Sequence, residues 1–488
     1  MRILMVNRSV TEDNDTTRIM LRLAQSLRAL GHEIYFFATE DRRGSARRRR
    51  TSELPKWRRI GTWGFKLVMG KASRQVSHVT RVSGEAVAEE TGEKPLPTAE
   101  HAGTYLVTRK RVTLFNARSS RENEEVARHL GQFLLQVPVE AALVFDAYGA
   151  LTWTTVAVLK EDFHLPVWVV CTDLKAVCPA GDRLCRGREC HRCGITEVPR
   201  DEKKLKTDDG IARPSFRPCA LHRCVNGSFW QSLLAAREAS MLRSHTYCDM
   251  PDGYMAPSGY HQRLLMEANF TLKDIVSVDV PLAPEDLHPM RRERSGFMLY
   301  IGGLNLCRGL ETLIRALSMS INNEYMVLCG EGPDRHLLES YAEHLGVRDR
   351  VRFMGSLKAV TLRKLMAEAT CLVVPSECEE LAPWGLLQMQ ALGKAAIVAD
   401  HSVLTDRVVD HRTGLVFETG NAGALAQAMD EMHDMSDEEL RRMGDNAAED
   451  ARRRYEPEQY ARRVLELLCG DSGFVSRRTR RRGKPNEA

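Results

Sequence analysis

The stretch Pro375-Ser376-Glu377-Cys378-Glu379-Glu380-Leu381-Ala382-Pro383-Trp384-Gly385-Leu386-Leu387-Gln388-Met389-Gln390-Ala391-Leu392-Gly393 decides how the chain is read. The apolar run from Cys371 to Pro375 predicts a buried strand. An acidic loop follows, then a helix beginning near Pro383 and closing before Gly393. That order puts polar side chains and free helix N–H groups together at the carboxyl edge of a parallel sheet. Open α/β folds bind phosphorylated ligands at that edge.

Working outward, the rest of the second half alternates strand and helix. Strands are expected at Phe297–Ile301, Tyr325–Cys329, Val351–Phe353, Cys371–Val374, Ala395–Val398 and Gly414–Phe417. Such alternation predicts a parallel, doubly wound sheet. Val280 to Glu293, with Pro281, Pro284 and Pro289, reads as an interdomain linker.

The amino-terminal forty residues predict a β-α-β unit: a strand at Ile3–Val6, a polar loop from Ser9 to Asp15, a helix, and a strand at Glu33–Thr39. Ile19, Leu23, Leu27 and Leu30 recur at helical spacing before Gly31. Residues 42 to 119 are rich in Arg, Ser, Thr and Glu with little periodicity, and read as a partly disordered insertion. Regular structure resumes with a helix at Glu122–Leu135 and strands at Ala142–Phe145 and Val167–Cys171. The expected division is therefore a first domain over 1–285, a second over 294–455, a helix at 456–470 returning to the first domain, and a basic disordered tail at 471–488.

A chain of 488 residues exceeds one core and predicts two or three domains. Its 43% hydrophobic and 28% charged content is that of a soluble globular protein. No apolar run approaches the ~20 residues that cross a bilayer. The opening Met1–Asn7 is too short for the apolar core of a signal peptide, so a cytoplasmic location is expected.

The 375–393 junction resembles the donor-site signature of the retaining family 4 glycosyltransferases of the GT-B fold, the glycogen-synthase-like group 1 transferases. That signature is a Glu, seven residues, then a second Glu opening E-A-x-A-x-G. Glu380 matches the first Glu, Gln388 replaces the second, and Ala391 and Gly393 match the tail. The resemblance implies that Glu380 holds hydroxyls of the transferred sugar and that Gln388 holds the nucleotide ribose, with Pro383 and Trp384 beside them. Gly302-Gly303-Leu304-Asn305-Leu306-Cys307-Arg308-Gly309 matches the family turn G-R-L-x-x-x-K-G. Arg308 then takes the place of the Lys that clamps the donor diphosphate, and Gly303 stands where the clamping Arg would be. Gly330-Glu331-Gly332-Pro333 and Met354-Gly355 resemble the turns close to the nucleotide, which adds Gly330, Gly332 and Gly355 to the donor-binding set. In the first domain, Thr172-Asp173-Leu174-Lys175-Ala176-Val177-Cys178-Pro179 is similar to a subgroup pattern, H-D-Y-K-L-V-C-P, whose His faces the sugar. Thr172 replaces that His, and Thr172 and Asp173 become acceptor-side groups.

The implied fold is α/β GT-B, two Rossmann-like domains facing a cleft, with a Cys-rich insertion in the first. The implied activity is transfer of a sugar from a nucleotide-diphosphate donor with retention, to an acceptor that is a glycan, lipid-linked or small. No catalytic metal is expected, since Arg308 and helix N-termini carry the positive charge. The runner-up is a catalytically impaired homologue serving as a nucleotide-binding or regulatory subunit.

Thirteen cysteines in a chain of this length do not suggest a secreted disulfide scaffold. Cys190-His191-Arg192-Cys193 is a zinc half-site by spacing. Cys178, Cys190, Cys193 and Cys224 form the candidate set for a structural zinc, with Cys219 or Cys185 as substitutes; reduced, unligated thiols or a redox role are the alternatives. The block containing Arg47 to Arg50, Lys56, Trp57, Arg58, Arg59, Trp63 and Phe65 suits an anionic membrane surface at the inner face, or a solvated loop. Nucleic acid is disfavoured as a partner because no recognition motif accompanies the charge.

Overall fold

The computed structural model describes residues 1–7, 15–40, 80–82, 104–108, 124–145, 153–185, 188–193, 215–242, 245–290 and 296–470. Among the described residues ten strands lie before the linker: β1 Arg2–Asn7, β2 Glu33–Glu40, β3 Thr80–Val82, β4 Thr104–Thr108, β5 Ala141–Phe145, β6 Val167–Val170, β7 Leu184–Cys185, β8 Arg188–Glu189, β9 Gly253–Ala256 and β10 Asp274–Ser277. Eight of them form one sheet in the order β10-β9-β6-β5-β1-β2-β4-β3, while β7 and β8 make a separate hairpin. The pairing is parallel except for β3, which runs antiparallel on β4.

β1 lies inside this sheet because Ile3, Leu4, Met5 and Val6 are all apolar and fully buried. Their alternation sends Leu4 and Val6 into one hydrophobic cluster and Ile3 and Met5 into another on the opposite face. Two strands of the sheet, β3 and β4, fall within the span expected to be an irregular insertion. β9 and β10 are additions that the sequence pattern does not predict. β9 opens on glycine because a Cβ at Gly253 would stand 2.5 Å from the Trp168 ring.

After the linker come β11 Phe297–Ile301, β12 Tyr325–Cys329, β13 Val351–Gly355, β14 Leu372–Val374, β15 Ala396–Ala399 and β16 Gly414–Phe417. They form a parallel sheet in the order β13-β12-β11-β14-β15-β16. The chain winds outward from β11 to β13, then resumes beside β11 with β14 and winds the other way. The crevice at the carboxyl ends of β11 and β14 is therefore the topological switch point. In the first sheet the equivalent point lies between β1 and β5, with β6 next to it.

Two helices join the domains. Helix Trp384–Ala391 sends Leu386 and Met389 into the core of the second domain, while Leu387 and Ala391 enter a cluster with Ile19, Met20 and Leu23 of helix Asp15–Ala29. Helix Pro457–Cys469 lays Tyr460, Ala461, Val464 and Leu468 into that same cluster. The buried Arg407 crosses from the second domain to donate to Asp279 and, at 2.9 Å, to the Pro257 carbonyl.

His261, in helix Gly259–Glu267, is fully buried, and neither ring nitrogen meets a partner among the described residues. Burial depresses its pKa to about 4 from the ordinary 6.5. The unfolded chain thus binds a proton between those values that the folded chain refuses. Stability from this group is complete above pH 6.5 and is lost as pH falls toward 4, amounting to ~3 kcal/mol across the window. Thermal melts from pH 7 to pH 4 should show that loss, and His261→Leu should flatten it. An unchanged slope in the variant would place the acid sensitivity elsewhere.

Candidate donor cleft

The second-domain wall is built from two loops locked to each other. After β11 the chain makes a 3-10 turn at Leu306–Arg308 and then enters helix Leu310–Met319 through Gly309. Gly309 has φ of +69°, and a Cβ there would collide with the Pro375 carbonyl of the loop after β14. The Glu377 amide donates to the Cys307 carbonyl at 3.1 Å, holding the loops side by side.

That contact brings Arg308 and Glu380 together as a close ion pair. The Glu380 carboxylate also accepts from the Ser376 hydroxyl at 3.0 Å, and its backbone N–H donates to Ser402 Oγ at 3.1 Å. Opposite them, on the first domain, Thr172 follows β6, its hydroxyl 2.6 Å from that of Thr16. Thr172, Asp15 and Asp182 from the first domain face Arg308, Glu380 and Cys378 from the second across one cavity of about 420 Å³. Its size falls in the range of ligand clefts. It lies at the carboxyl ends of both sheets, between the domains.

The other expected site residues make the following contacts. Gln388 Nε2 donates to Asp286 Oδ2 of the linker at 3.1 Å; Asp286 also pairs with Arg363 at 2.9 Å. Trp384 lies under the guanidinium groups of Arg18 and Arg22, 5.3 and 5.0 Å from its ring centre, so it packs the domains together. Pro383 immediately precedes that helix. Asp173 accepts from the Lys175 amide at 3.0 Å and pairs with its ammonium at 3.2 Å. The glycine turns pack on one another behind the cleft: the Gly330 amide donates to the Gly355 carbonyl at 2.9 Å, and a Cβ on Gly330 would strike the Gly302 carbonyl. A Cβ on Gly332 would strike the Leu304 backbone, and Gly303 accepts from the Tyr300 hydroxyl at 2.8 Å.

Sequence reasoning missed a buried contact across the cleft. Arg183, at φ of +51°, donates to Glu379 Oε1 at 2.5 Å, and the Tyr260 hydroxyl donates to the same oxygen at 2.6 Å. Arg183 also touches His191. Burial and the Glu379 bond raise the Tyr260 hydroxyl pKa, so it stays a donor. The one available signal was the doublet Glu379-Glu380, of which only the second was given a role.

Cys193, Cys219 and Cys224 pack with Phe216, Ala236 and Ala239, and the Cys224 thiol interacts with Cys219 and Cys185. Burial, together with neighbouring thiols that include Cys178, pushes Cys193 up to about 12 and Cys224 up to about 11. The donor set is chemically suited to zinc, although among the described residues no three His, Cys, Asp or Glu side chains stand in metal-holding geometry. The loop at Val10–Asn14, the basic block at 47–65 and the basic tail at 471–488 lie outside the described residues. Among the described residues no helix is long and apolar enough to cross a membrane.

Residues 289–450 match the family model described as "Glycosyl transferases group 1". An uncharacterized glycosyltransferase of Methanocaldococcus jannaschii, MJ1607, is 29% identical over 175 residues, 35% of this chain and 44% of that one. The alpha-D-kanosaminyltransferase of Streptomyces kanamyceticus is 28% identical over 231 residues, 45% of this chain and 57% of that one. The chain thus spans about half the length of the curated relatives it matches. The structure of Anabaena Alr3699/HepE in complex with UDP aligns over 96% of this chain and 100% of that one, with a TM-score of 0.58 at 12% identity. The fold is GT-B, and residues 289–450 of the second domain are similar to those of group 1 glycosyltransferases.

Proposed function

We propose that this chain transfers a sugar from a nucleotide-diphosphate donor to an acceptor, with retention of anomeric configuration. The observation that carries the reading is the pairing of Arg308 with Glu380 at the switch point, facing Thr172 across the cleft. The donor diphosphate would take the place of the Glu380 carboxylate on Arg308. That exchange frees Glu380 to accept from sugar hydroxyls. Arg308 and the amino terminus of helix Leu310–Met319 would then stabilise the charge growing on the leaving diphosphate. The UDP in the Anabaena structure supports the donor class. A thermal-shift panel of nucleotide sugars tests the proposal, since a ligand at a hundred times its Kd stabilises by about 2.7 kcal/mol. A chain whose melting temperature moved with none of them would not be this enzyme.

Structural zinc is part of the same proposal, with Cys178, Cys190, Cys193 and Cys224 as ligands and Cys219 or Cys185 as substitutes, supported by the C-x-x-C spacing and by Cys193, Cys219 and Cys224 sharing one cluster. Elemental analysis of protein purified without chelator should find about one zinc per chain, and chelation should lower the melting temperature. Metal-free protein indifferent to chelator would remove the zinc. The acceptor is proposed to reach the cleft along the first domain, with the basic segment 47–65 set against an anionic bilayer.

A further inference from the structure

We propose that Cys307 and Cys378 form a redox-sensitive thiol pair in the donor cleft, whose oxidation to a disulfide locks the two donor loops together and weakens donor binding. Both residues line the cavity, one on each loop. Cys307 immediately precedes Arg308, and Cys378 stands two residues before Glu380. The 3.1 Å bond from the Glu377 amide to the Cys307 carbonyl fixes the two backbones next to each other, and the two thiols interact. The Ser376 hydroxyl lies 3.6 Å from Cys378 Sγ.

These neighbours set the reactivity. The Cys307 hydrogen bond and then the Arg308 cation hold the Cys378 thiol well below its ordinary range, in spite of burial. The same contact pushes Cys307 up, so the pair divides into an attacking thiolate and a resolving thiol. Burial raises Cys171, Cys371 and the insert thiols Cys193, Cys219 and Cys224 instead. With hydrogen peroxide as oxidant, the Cys378 thiolate would take one oxygen and cleave the O–O bond, giving a sulfenic acid and, after protonation, one water. Cys307 would then form the S–S bond and expel the second water. Two thiols and one peroxide give one disulfide and two waters.

The consequence for binding rests on the function proposed above. A donor diphosphate has to draw Arg308 away from Glu380, so the loops carrying them must part slightly. A covalent bond between the preceding cysteines opposes that movement and keeps the ion pair closed.

The test uses the full-length chain. Treated with about one equivalent of peroxide, blocked with N-ethylmaleimide and digested without reductant, it should yield a peptide joining Cys307 to Cys378 that dithiothreitol dissolves. In Cys307→Ser the bridge should vanish and Cys378 should be trapped by dimedone as the sulfenic acid. Calorimetric titration with UDP, ADP and GDP should show the best of them binding at least tenfold more weakly after oxidation, with recovery on reduction. Both thiols remaining alkylatable after peroxide, or bridged to other cysteines, overturns the pair whatever the nucleotides do. A bridge that leaves nucleotide affinity unchanged overturns the regulation. A bridge in protein that binds no nucleotide even when reduced confirms the thiol chemistry and removes the donor reading on which its effect depends.

Discussion

Arg308→Ala should lower turnover by roughly a hundredfold and weaken UDP binding, whereas Glu380→Gln should lower turnover yet tighten binding of the bare nucleotide. The contrast follows from the ion pair between the two side chains. Arg308 is the cation at the mouth of helix Leu310–Met319, and a lost transition-state contact of this kind costs ~3 kcal/mol, or about two powers of ten in rate. In the function proposed above, Glu380 competes with the diphosphate for that guanidinium. Neutralising it leaves a planar fork with no carboxylate to displace, so a ligand that has a diphosphate and no sugar gains. We expect the gain to be about tenfold, since a charge-assisted hydrogen bond contributes ~1.5 kcal/mol. Transfer still falls, because the sugar loses its carboxylate acceptor. Arg308→Lys should recover part of the loss, keeping the charge but not the bidentate geometry. Calorimetry with UDP alongside donor-turnover assays separates the outcomes. If Glu380→Gln weakened UDP as much as Arg308→Ala does, the two residues would not be sharing one diphosphate position.

How far the sequence could be read depended on how local each feature is. The six strands of the second sheet were legible within a residue or two because all but the edge strand β13, which carries the exposed Arg352, are short apolar runs set between helices, the form of parallel strands buried on both faces. The donor junction was legible for the same reason, with strand, loop and helix contiguous. β9 and β10 were not: β9 holds no β-branched residue, and β10 opens on aspartate and is nowhere fully buried. At the site, Arg308 and Glu380 could be named from motif position, and the structure brings them together with Thr172 on one cavity. Trp384 was named from the same motif, yet it packs under Arg18 and Arg22, residues from the first helix of the chain that no local pattern links to it. Gln388 was likewise read against a ribose, where its amide meets Asp286. Both contacts are tertiary, made to residues distant in sequence that no local pattern links to them. Arg183 shows the same limit more strongly: its partner Glu379 lies 196 residues away, and an arginine in a cysteine-rich, charged segment looks like a solvated side chain.

That ion pair carries the second large effect. Arg183→Ala should lower stability by ~3 kcal/mol, because it leaves a carboxylate buried with only Tyr260 to satisfy it. The Arg183 and Glu379 side chains are 5% and 0% exposed, so water cannot replace the guanidinium. For domains of this size the melting temperature should fall by about 6–12 °C. A buried ion pair is not stabilising in itself, and replacing both members by apolar residues of similar volume is often neutral. Arg183→Met with Glu379→Leu should therefore recover most of the lost stability. It should not recover transfer. Glu379 adjoins Glu380 on one loop, and Arg183 fixes that loop from the first domain, so the cleft of the double variant would be intact but its donor loop unanchored. The measurement that decides is the pair of readouts on the pair of variants, melting temperature and donor turnover. A double variant that restored both would make Arg183 a packing residue alone. One that restored neither would mean that the apolar pair cannot fill the space between β7 and the donor loop. Recovery of stability without turnover is the outcome that makes Arg183 a support for the proposed donor site, holding from across the cleft the carboxylate next to the one proposed to meet the sugar.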